Sequence, residues 1–68
     1  MNIKINGEVL ELEGKMNLSD FVALRLNGKE PRGIAVAVND MIIPKSKWNE
    51  TMLNENDSIE IVHAVQGG

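Results

Sequence analysis

The chain has 68 residues, 43% hydrophobic and 25% charged, with a formal net charge of −3 and no cysteine. A chain this short buries one small core and leaves little room for an enclosed catalytic pocket, while its composition is that of a folded protein rather than a disordered one. The acidic balance excludes the basic stripe that a nucleic-acid ligand needs. The missing thiols exclude a disulfide framework, a thiolate metal site and a cysteine nucleophile.

In chain order, the first signal is Asn6-Gly7 between two alternating runs. Asn-Gly suits a type I′ hairpin turn, in which both positions take positive φ. With those two as the loop, Ile5 pairs with Glu8, Ile3 with Leu10 and Met1 with Leu12. Cross-strand partners share a face, so Met1, Ile3, Ile5, Leu10 and Leu12 gather on one side and Lys4, Val9 and Glu11 on the other. Gly14-Lys15 ends the second strand. Asn17 then reads as a helix N-cap, with Asp20 in the first turn to complement the dipole. Leu18, Phe21, Val22 and Leu26 form the apolar stripe, and Asn27-Gly28 stops the helix. Lys29 to Arg32 is a polar loop, expected to be exposed.

Gly33 to Asn39 reads as a strand whose faces are both apolar, which places it inside a sheet or against a partner. Asn39-Asp40 is a turn, Met41 to Ile43 a short return and Pro44 its stop. Lys45 to Met52 has room for one helical turn carrying Trp48. Asn54 to Asp57 is a tight turn, and Ser58 to Val65 the last strand. A hairpin, one crossing helix and further strands make an α+β fold, with a mixed sheet of about five strands packed on one main helix: the ubiquitin-like β-grasp. A ferredoxin-like sandwich would need a second full helix.

The longest apolar run, Ile34 to Val38, is far below the roughly 20 residues of a membrane-spanning helix. The first six residues are too short and polar for a signal sequence. The expectation is a cytoplasmic protein without a membrane partner, complete as given from its initial methionine, with residues 1–68 forming one domain and a flexible tail at 66–68.

Catalytic constellations are missing from the sequence. His63 has no cysteine and no second histidine to complete a site. Ser19, Ser46 and Ser58 lack a nucleophile-elbow setting. Glu8, Glu11 and Glu13 are read as a solvated strand face rather than a cation site, and Trp48 as packing rather than a binding anchor. No metal or bound cofactor is expected. If the helix covers Ile34, Val36, Val38, Ile59 and Ile61, then Ala35, Ala37, Val62 and Ala64 fall on the open sheet face, as a candidate docking surface.

One feature stands apart: Gly67-Gly68 directly after the last strand. Glycines carry no side chains, so such a tail threads a narrow channel and approaches another backbone closely. Three extended residues reach roughly 10 Å. That would present the α-carboxylate of Gly68 to a partner. A carboxylate is a poor electrophile and needs activation, for instance as an acyl-adenylate, before sulfur or nitrogen attacks it.

At this point the sequence resembles the ThiS family of sulfur carrier proteins of thiamine (thiazole) synthesis. The stretches that carry the resemblance are Ile34 to Asn39, Ile43-Pro44-Lys45 leading to Trp48, Leu53 to Asp57, Ile59 to Val62, and Val65 to Gly68. The first half agrees in pattern more than in letters. The resemblance implies a β-grasp fold and a non-enzymatic role. A ThiF-type adenylyltransferase would activate Gly68 with ATP, a sulfur donor system would convert it to a thiocarboxylate, and thiazole synthase (ThiG) would take the sulfur. Gly68 would be the covalent carrier, with Gly67 and Gln66 read by the partner. The family's usual Gly-Asp turn is Asn56-Asp57 here, and the residue before Gly-Gly, often small, is Gln66. The alternatives are a MoaD-like carrier for molybdopterin synthesis, a ubiquitin-like modifier joined through Gly68 to lysines, and a plain interaction domain.

Overall fold

The computed structural model describes residues 1–63. Its elements run β1 (Asn2–Ile5), β2 (Glu8–Glu11), α1 (Leu18–Leu26), β3 (Ile34–Val38), β4 (Met41–Ile42), a 3-10 helix (Lys45–Glu50) and β5 (Ser58–His63). The five strands form one sheet in the order β2-β1-β5-β3-β4. This is the mixed sheet on one main helix expected for a β-grasp.

The N-terminal hairpin has the register its turn dictates. Asn6 and Gly7 sit at φ 49 and 87, and Ile3 faces Leu10 while Ile5 faces Glu8. Regular pairing stops at Glu11, earlier than Gly14. The hairpin is extended by one closing pair, in which the Leu12 N–H donates to the Met1 carbonyl at 2.7 Å and the Met1 amine to the Leu12 carbonyl at 2.8 Å. The second hairpin repeats the device: Asn39 and Asp40 both take positive φ, pairing Val38 with Met41 and Ala37 with Ile42.

The helix begins where its cap residue stands. The Asn17 side chain accepts the Asp20 N–H at 2.8 Å, and Asn27, at φ 54, ends the helix in the left-handed region. Asn is the non-glycine residue that tolerates this conformation best. Leu18, Phe21 and Val22 are fully buried, and Leu24 points to solvent. Below them lie Ile3, Ile5, Val36 and Ile59 from the sheet, with Leu12, Trp48 and Leu53 closing the ends. Trp48 is packing: it is buried and its indole N–H donates to the Ile43 carbonyl at 2.9 Å.

The parallel pairing that makes the sheet mixed is that of β1 with β5 (Lys4 with Ser58, Ile5 with Ile59). β5 lies between the N-terminal hairpin and β3, antiparallel to β3. β3 lies inside the sheet, between β5 and β4, as its two apolar faces suggest, and β5 is the middle strand. Burial on both faces is not what singles it out, because Glu60 and Val62 are exposed.

The turn before β5 is tied down by Asp57, the buried charged residue of the core. Its carboxylate accepts the Asn54 N–H at 2.7 Å and the Asn39 side-chain amide at 2.9 Å. Asn39 in turn accepts the Ser58 N–H at 2.9 Å. Asn56 takes φ 69, so asparagine does carry the turn where glycine is usual in the resembling family. Among the described residues, no helix is long and apolar enough to cross a membrane.

Candidate functional site

The helix and the segment after the 3-10 helix cover one face of the sheet and leave the other open. Which side chains reach the open face follows from the pairing. Ala35 lies opposite Val62, Ala37 opposite Glu60, and Ile42 opposite Ala37. Lys4 lies beside Ser58 and opposite Val9, so both belong to this face as well. Val62 is 59% exposed and Ile42 70% exposed. Ala35 is exposed and Ala37 half-buried. Together Val62, Ala35, Ala37 and Ile42 make an apolar patch across β5, β3 and β4. Glu60 and Lys4 continue the face toward the N-terminal hairpin as polar ground.

Three of the four expected docking residues, Ala35, Ala37 and Val62, are thus brought together, and Ala64 lies outside the described residues. The sequence reading missed Ile42. Its signal was present: a two-residue loop at Asn39-Asp40 fixes Ala37 against Ile42, by the same rule that set the first hairpin.

The patch contains no chemistry of its own. Its side chains are alanines, a valine and an isoleucine, and among the described residues no group of three His, Cys, Asp or Glu is placed to hold a metal ion. Glu8 and Glu11 belong to opposite faces of the hairpin, since Glu8 pairs with Ile5 and Glu11 with Asn2. His63 is exposed at the end of β5, opposite Ile34. The small side chains of the patch leave room for another surface to approach closely. β5 is also the strand that leads toward Gln66, Gly67 and Gly68, and those three residues lie outside the described ones.

The fold and the open face define a ubiquitin-like β-grasp protein. Comparison with known proteins agrees. A family model described as the ThiS family matches residues 3–68, and the chain belongs to that family. Its members are small sulfur carriers and not catalysts, so the chain is no enzyme. The whole chain is 32% identical to ycf40, an uncharacterized protein of Pyropia yezoensis, and covers 93% of it. It is also 34% identical over its whole length to a thiazole synthase of Paramagnetospirillum magneticum, but spans only 20% of that protein. In structure it is similar to the thiamine biosynthesis protein (ThiS) of Geobacter metallireducens, with a TM-score of 0.83 at 20% identity and full coverage of both chains. At that identity the likeness shows the fold.

Proposed function

We propose that the chain carries sulfur on the carboxyl group of Gly68 for the thiazole step of thiamine synthesis. The observation that carries this reading is the family match, which runs through residue 68 and so includes Gly67-Gly68. A carboxylate oxygen of Gly68 attacks the α-phosphorus of ATP on a ThiF-type adenylyltransferase. Pyrophosphate leaves and an acyl-adenylate forms. Hydrosulfide supplied by the donor system then attacks the carbonyl carbon, AMP leaves, and the resulting thiocarboxylate is the form that donates sulfur to thiazole synthase. ATP belongs to the activating partner, and the carrier binds no cofactor itself.

The apolar patch of Val62, Ala35, Ala37 and Ile42 is the surface on which the partners dock in this reading. Its exposure supports that role, because apolar area left open on a domain this small contributes nothing to its own core. The thiazole branch, rather than the molybdopterin one, is favoured by the likeness to thiazole synthases over the full length of the chain. Gln66 and Gly67 are the residues that the partner's channel reads on the way to Gly68.

The test is an intact mass of the protein from a thiamine-starved host. Replacement of one oxygen by sulfur, localised to the C-terminal peptide, is the expected result, followed by sulfur transfer to thiazole synthase in a reconstituted reaction. An unmodified mass, with no adenylation when a ThiF-type enzyme and ATP are supplied, would leave a plain interaction domain.

A further inference from the structure

β5 is supported unequally on its two sides. On the β3 side its ladder runs to Ile34 and His63. On the β1 side regular pairing ends at Ile5 and Ile59, because the chain turns away at Asn6-Gly7 to form the hairpin. The second half of β5 would therefore be held from one side only. Asn6 fills the gap. Its backbone N–H donates to the Ile59 carbonyl at 2.9 Å. Its side-chain Oδ1 accepts the Ile61 N–H at 2.9 Å, and its Nδ2 donates to the Ile61 carbonyl at 3.4 Å. A side-chain amide has the same donor and acceptor as a peptide group, so Asn6 acts toward Ile61 as one more residue of β1 would.

The turn alone does not explain this. Glycine meets the positive φ at position 6 at least as well as asparagine, yet glycine has no amide to offer Ile61. We propose that Asn6 is a positioning residue: by gripping both backbone groups of Ile61 it fixes the line on which β5 delivers the following chain, and hence Gly68, to the activating partner. This rests on the sulfur-carrier reading above. Asn6 touches no reacting atom in this scheme. It acts through Ile61, two residues before the described end of β5.

The turn role and the positioning role are separated by Asn6→Gly, which keeps the turn and removes the amide. Asn6→Asp keeps an acceptor for the Ile61 N–H but sets a second carboxylate oxygen against the Ile61 carbonyl. The readouts are hydrogen exchange of the Ile61 amide by NMR, and the steady-state kinetics of adenylation by a ThiF-type enzyme and ATP with the carrier as varied substrate. In Asn6→Gly we expect Ile61 exchange to quicken about tenfold with the α1 amides unchanged, as a local opening does. We also expect KM for the carrier to rise about fivefold with kcat nearly unchanged, the mark of lost ground-state alignment. Asn6→Asp should fall between. Asn17→Ala, which weakens the helix cap far from β5, is the stability control and should leave KM alone.

Faster exchange with an unchanged KM would overturn the proposal, as would unchanged exchange at Ile61 or an equal rise of KM in the control. Failure of the unaltered protein to be adenylated at all would remove the sulfur-carrier reading, and this inference with it.

Discussion

The two faces of the sheet are built from alternate residues of the same strands and meet opposite fates. In β3, Val36 is buried under the helix while its neighbours Ala35 and Ala37 look outward. In β5, Ile59 is fully buried, whereas Val62 is mostly exposed. The closed face uses large side chains, Ile3, Ile5, Val36 and Ile59, packed in one core with Phe21 of the helix and Trp48 of the 3-10 helix. The open face uses small or flat ones that fill nothing. Apolar residues on the closed face are needed by the fold itself. Those on the open face are needed only if something else covers them. A single change should therefore damage stability or partner binding, according to the face it touches.

The largest effect belongs to the closed face. Phe21→Ala removes a fully buried ring from the middle of the core and should cost about 3–5 kcal/mol. That is a large fraction of the roughly 5–15 kcal/mol that holds a typical domain together, so thermal or urea unfolding should show a collapse of the transition midpoint. Next comes the rim where the two faces meet. Asp57→Ala strands the Asn54 N–H and the Asn39 amide and should cost about 2–3 kcal/mol, read from the same unfolding curves. Asp57→Asn should cost less, since it keeps one acceptor.

The open face gives the contrasting result. Ala37→Arg should change the unfolding midpoint little, since Ala37, though half-buried, stands on the open face, where a long side chain can extend its charge into solvent. It should nevertheless raise the carrier's KM for adenylation about tenfold, equivalent to about 1.4 kcal/mol of binding. Normal adenylation by that variant would break the comparison, because the open face would then be inert as well as exposed. The smallest expected change is Asn17→Ala, which removes the helix cap for about 1 kcal/mol and should appear in stability alone.

Local rules carried most of this fold. Two-residue turns at Asn6-Gly7 and Asn39-Asp40 set two registers, and the Asn17 and Asn27 caps set the helix ends. What stayed hidden depends on pairs far apart in the chain. That β1 lies beside β5, parallel, is decided by how the whole sheet closes, and no window of sequence contains both strands. The grip of Asn6 on Ile61 and of Asp57 on Asn39 follows from that closure, so Asn6 read only as a turn residue. Ile42 is a different case, since its place on the open face was already implied by the turn at Asn39-Asp40. The places of Ala35, Ala37 and Val62 on the open face were legible because alternation on a strand is a short-range rule.

The reliance on asparagine at left-handed positions has a chemical side. Of the five non-glycine residues at positive φ among the described residues, four are asparagines, and two of these, Asn6 and Asn27, precede glycine. Asn-Gly pairs are the ones that age fastest: the glycine nitrogen attacks the side-chain carbonyl carbon, ammonia departs to leave a cyclic imide, and water opens that ring to aspartate or its backbone-shifted isomer. At Asn27 the side chain makes no hydrogen bond among the described residues to delay this. At Asn6 both polar atoms are directed at Ile61, so the folded sheet protects the amide that completes it. Unfolding releases that protection. Stored protein should therefore change first at position 27, and a carrier that has spent time unfolded should be marked at position 6.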